Sequence, residues 1–136
     1  MAIRVVRLGT PRLPNEGLRL GTVRRPPRGV RKEEFASRDY FDLWLPDLAP
    51  TAVTVKWALS EPWTPERWEK YARASRREMR APEQQRLITL LAALSRQADF
   101  SIGCYCEDAS HCHRSLLAAL LADAGAKFAE TSPPSQ

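Results

Sequence analysis

The chain has 136 residues, 43% of them apolar and 27% charged, a balance that fits one globular domain with a single core. A net charge of +5 and a pI near 9.5 favour anionic partners, either a phosphorylated small molecule or nucleic acid. Three cysteines without an apolar leader argue against a disulfide framework, and the longest apolar run, residues 116–122, is too short to span a bilayer. The expected setting is therefore the reducing cytoplasm, with no membrane partner; the oligomeric state is left open.

Ile3, Val5 and Val6 predict a first strand, closed by Gly9, Thr10 and Pro11. Residues 14–17 form a turn signal and residues 18–23 a second strand. Residues 18–32 then hold six Lys or Arg and no acid. Pro26 and Pro27 stiffen that window, so Arg24, Arg25 and Arg28 are presented by a restrained loop. Residues 40–45, rich in aromatics and stopped by Pro46, suggest an extended segment or a single turn.

A helix starts near Thr51 and runs to Leu59. Another has Thr64 as N-cap and Pro65 at its first position and runs to about Arg80, burying Trp68, Tyr71, Ala72, Ser75 and Met79. A third opens at Ala81, Pro82 and Glu83 and runs to Gln97, with Leu87, Ile88, Leu90, Leu91 and Leu94 inward. Residues 99–105 read as a buried strand and residues 115–122 as a helix. Parallel strands joined by helical crossovers pack this order economically, giving a small three-layer α/β domain with a mainly parallel sheet and flanking helices. The domain is expected over residues 1–129, with residues 130–136 a disordered tail.

All three cysteines and both histidines fall within residues 104–113, on the turn between the last strand and the last helix. Three chemistries fit that turn. A helix N-terminus with Arg114 in its first turn, facing the loop at residues 24–29, makes an anion site from Arg24, Arg28 and Arg114. Glu107 and Asp108 could instead fold back onto Arg114 and shape the turn. A thiol at a helix N-terminus beside cationic groups favours its thiolate, which makes Cys106 or Cys112 a candidate nucleophile or redox group, with His113 a candidate base. Neighbouring helical residues diverge, which counts against His113 serving Cys112; His111 meets the same objection. Zinc would need Cys104, Cys106, Cys112 and His113, but the Cys-x2-Cys knuckle is missing, and Cys104 is also explained as a core thiol. No metal and no cofactor are therefore assigned.

The run Cys104-x-Cys106-Glu107-Asp108-x-x-x-Cys112-His113-Arg114-x-x-Leu117 resembles the signature of domain-of-unknown-function family 488, which includes the YeaO-like proteins. Residues 24–29 and 40–50 extend the resemblance over roughly residues 18–125. Where the YeaO-like branch often shows Asp-Arg-Leu-Trp-Pro-Arg-Gly, this chain has Val23 for the Asp and Pro26 for the Trp, and keeps Arg24, Pro27, Arg28 and Gly29. The resemblance implies a small cytoplasmic α/β domain and brings no known activity.

Overall fold

The computed structural model describes residues 1–106 and 111–129. Its centre is a four-stranded, all-parallel sheet in the order β1 (Ile3–Arg7), β4 (Phe100–Cys104), β2 (Leu18–Gly21), β3 (Leu43–Trp44). The fold is the α/β class expected. Every residue of β4 is buried, as a central parallel strand requires.

Four helices complete the order: α1 (Ala52–Ala58), α2 (Pro65–Glu78), α3 (Pro82–Leu94) and α4 (His113–Asp123). Thr51 and Thr64 cap α1 and α2, accepting from the backbone N–H of Thr54 and Arg67. One sheet face, carrying Ile3, Leu20, Phe100 and Ile102, packs on Met79, Ile88, Leu91, Leu117 and Leu121. Leu90 and Leu94, expected inside, are instead 56% and 40% exposed, because the inward stripe of α3 follows Ile88, Leu91 and Ala92. Residues 40–45 supply the short edge strand β3, with both its residues exposed. The tail expected to be disordered, residues 130–136, lies outside the described residues.

The opposite sheet face is covered by connections that contain no α-helix. Gly21 and Gly103 are register partners there, and the missing side chains admit Phe41 over Gly21 and Leu8 over Gly103. Beside them lies a buried ion pair. The Glu16 carboxylate accepts from Arg19 Nε at 2.6 Å and Nη2 at 2.8 Å, and from Ser101 Oγ at 2.8 Å. Arg19 Nη1 donates to the carbonyls of Thr10 and Asp39 at 2.8 and 2.7 Å. Arg19 is 0% exposed, so one of the six cations of the basic window is a core residue and not part of a solvent-facing patch. The group ties the β1–β2 and β2–β3 connections to the sheet.

Candidate functional site

Because β2 and β4 are parallel neighbours, with Gly21 opposite Gly103, the segments that follow them emerge at the same end of the sheet. The two segments touch. Tyr105 Oη donates to the Arg25 carbonyl at 2.9 Å, and His113 Nε2 lies 2.5 Å from the Thr22 carbonyl. A carbonyl can only accept, so Nε2 carries the proton and Nδ1 is the basic nitrogen. Burial pushes His113 below its ordinary pKa, which holds it neutral.

Cys104 closes β4, Cys106 follows two residues later, and Cys112 is the extended N-cap residue of α4 (φ −138°). These three placements bring the sulfurs within 4.8 Å of one another, and Cys104 Sγ to 3.7 Å from Cys106 Sγ. Cys104 and Cys112 are buried, and only Cys106 is partly exposed. The hydrogen bond to Cys106 raises Cys104 to about 11, and Cys112 is pushed up by its contacts with Cys104 and Cys106 and by burial. Cys106 is held well below the usual thiol range by the Cys104 and Cys112 thiols, which outweigh burial, and the positive charge of Arg114 acts in the same direction. The arrangement sets one partly exposed sulfur against two buried ones. The same three sulfurs could hold a soft metal ion, but His113 cannot complete the set through Nε2, which is already engaged by Thr22.

The three arginines assigned to an anion site have different surroundings. Arg114 is 5% exposed, and its Nη1 donates to the carbonyls of Val6 and Cys104 at 3.2 and 3.5 Å. Those carbonyls belong to the neighbouring strands β1 and β4, which accounts for a cation in the first turn of a helix where an acid would be the ordinary choice. Arg24 donates to the carbonyls of Pro50 and Ala49 at 2.8 and 3.0 Å. Arg28 is exposed, beside Gly29, whose φ of 71° makes the turn. Arg24 and Arg114 are therefore braces, and Arg28 is a surface group. Glu107 and Asp108, proposed to shape the turn, lie outside the described residues.

A family model described as the active DUF488-N3 subclade, DUF488-N3a, matches residues 3–125. The chain belongs to the DUF488 family. No curated protein and no solved structure matches it. The DUF488 match covers all four strands and all four helices, and so includes the whole thiol cluster.

Beside the thiols of this DUF488 chain is an aromatic group that the sequence did not single out as a site. Trp63 and Trp68 meet edge to face at 5.6 Å, and Tyr71 touches both, at 5.3 and 5.6 Å. His111, from the cysteine segment, stacks on Trp63 at 5.9 Å and 17° and meets Trp68 edge-on at 5.4 Å. The sequence signal was there: Trp63 and Trp68 flank the Thr64 cap at the spacing of a hydrophobic staple. A stripe at helical spacing reads as core, and only the fold brings His111 to it.

Proposed function

We propose that this DUF488 protein is an enzyme of cysteine chemistry, with Cys106 as the nucleophile and Cys104 and Cys112 as the thiols that keep it ionised. The observation that carries this reading is the meeting of three sulfurs within 4.8 Å where only Cys106 reaches solvent. Attack by the Cys106 thiolate on an electrophilic carbon forms a sulfur–carbon bond while the bond from that carbon to its leaving group breaks and the leaving group departs with the electron pair. The buried partners remain protonated and stabilise the charge before attack. Arg114 acts as a positioning residue, binding Val6 of β1 and Cys104, the last residue of β4. The family description, the active subclade, is in keeping with an enzyme.

An anion site formed by Arg24, Arg28 and Arg114, for a phosphorylated small molecule or nucleic acid, is the second reading. It is favoured by the contact between the basic loop and the thiol segment through Tyr105 and Arg25. It is weakened by the carbonyl partners of Arg24 and Arg114, which leave Arg28 as its exposed member.

Mass-spectrometric mapping of iodoacetamide labelling across a pH series tests the thiol reading. Cys106 is expected to label first and to keep its rate well below the free-thiol pKa of about 8.5. Labelling of Cys106 that tracks an ordinary thiol, or faster labelling of Cys104 or Cys112, overturns it.

A further inference from the structure

We propose that the cleft between the start of α2 and His111 is a recognition subsite for an organic cation, a quaternary ammonium or an N-alkylated heteroaromatic ring. The proposal deepens the cysteine-enzyme reading and rests on it, because it names the class of molecule delivered to Cys106. The cleft encloses about 570 Å³, and its walls include Trp63, Trp68, His111, Glu66 and Glu69. That volume lies within the range of small-molecule sites, about 300–1,000 Å³.

Charge selects the ligand. The chain carries +5 overall, yet the residues lining this cleft include two exposed carboxylates and neither lysine nor arginine. Aromatic rings bounded by carboxylates attract a cation whose charge is spread over carbon and nitrogen. The two carboxylates at the start of α2 oppose the pull of its N-terminus on an anion. The protein uses the same attraction one turn away, where the Arg67 guanidinium lies 4.2 Å from the Trp57 ring centre. Trp63 and Trp68 have no such internal cation among the described residues.

Position connects the cleft to the thiols. Tyr71 touches both tryptophans, and His111, which meets both as well, is the chain neighbour of Cys112 in the thiol cluster. His111 reaches the cleft from the segment that begins at Cys106. The hydrophobic staple explains the contact between Trp63 and Trp68, but it does not require a histidine stacked upon them or carboxylates around an open space.

The experiment titrates the full chain with N-methylpyridinium, its neutral isostere toluene and its anionic counterpart benzoate. Tryptophan fluorescence and the Cys106 alkylation rate are both followed. The expected result is saturable quenching by N-methylpyridinium, about five- to tenfold tighter than by toluene, with none by benzoate. Glu66→Gln with Glu69→Gln should weaken it about two- to fivefold, since both side chains are exposed. Bound cation should change the Cys106 labelling rate. Equal binding of toluene, binding of benzoate, no saturable binding, or an unchanged effect in the double variant each overturns the proposal. Cation binding that leaves Cys106 labelling untouched overturns the claim that the cleft serves the thiol. Ordinary Cys106 reactivity before any cation is added is a failure of the underlying enzyme reading, and it is read from the ligand-free sample.

Discussion

The sulfurs of Cys104 and Cys106 lie 3.7 Å apart, one buried and one at the surface, across the last step of the central strand. Residues two apart on a continuing strand share a face but sit about 6.6 Å apart. Strand β4 ends at Cys104 and the chain bends at Tyr105, which lets Cys106 close on Cys104. What the fold adds is Cys112, brought back by α4 to within 4.8 Å of both. The Cys104 and Cys112 thiols hold the Cys106 pKa down, so it depends on these neighbours. Cys104→Ala and Cys112→Ala should each move the half-maximum of Cys106 alkylation to higher pH, because each removes a donor that stabilises the charged form. Mapping the label by mass spectrometry checks this, and an unchanged profile in both variants would exclude the donor role.

The Glu16–Arg19 pair should dominate the acid stability of the domain. Burial raises the Glu16 pKa, but hydrogen bonds from Arg19, Ser101 and the Leu13 N–H outweigh it, so the net shift is downward from 4.5. A carboxyl with a depressed folded pKa contributes stability above its unfolded pKa and loses it as pH falls through the folded value. Glu16→Gln is expected to destabilise by about 3–5 kcal/mol near neutrality, since it leaves the Arg19 charge buried without its partner. Urea midpoints at descending pH should show the gap between wild type and variant narrowing on the acid side. A gap constant with pH would mean that Glu16 is not ionised in the native state.

Much of the architecture was legible because its signals are local. Thr64 and Pro65 mark the start of α2, and the apolar run at residues 100–104 marks the central strand. The location of the site was legible too, since the cysteines crowd one strand-to-helix turn. The roles of the charged residues were not. Arg19 and Arg114 have the same formal charge as Arg28, and no local pattern says that two of them will be buried on carboxylate or carbonyl oxygens. Those partners are supplied by segments up to 108 positions away in the chain. The Trp63–His111 stack was hidden for the same reason, its rings being distant in sequence and joined only when α2 and α4 pack.

Gly21 and Gly103 should resist enlargement. A Cβ on Gly103 would lie 2.5 Å from Leu8 Cδ2, and one on Gly21 would run into the Phe41 ring, with Cγ at 2.7 Å. Gly103→Ala and Gly21→Ala are each expected to cost about 1–3 kcal/mol through overpacking. Gly103→Ala combined with Leu8→Ala should recover part of the Gly103 loss by removing the clashing atoms. Chemical denaturation of the two single variants and the double variant gives the coupling, and strictly additive losses would rule out this contact as the cause.

Arg114 offers the sharpest division between the two functional readings. An anion ligand contributes little to folding without its anion, whereas a brace between β1 and β4 contributes always. The Arg114 guanidinium donates to Val6 and Cys104 carbonyls and is buried, so Arg114→Gln should lower the thermal midpoint with or without phosphate. Any phosphate-induced rise in the midpoint measures binding to the native state by mass action. That rise should be the same in wild type and Arg114→Gln, and should shrink in Arg28→Gln if the exposed arginine meets an anion. Loss of the increment in Arg114→Gln alone, with little change in basal stability, would reverse the assignment and make Arg114 the anion ligand. The Cys106 labelling rate separates a further effect: the variant should slow labelling at low pH, because the positive charge favouring the thiolate is gone.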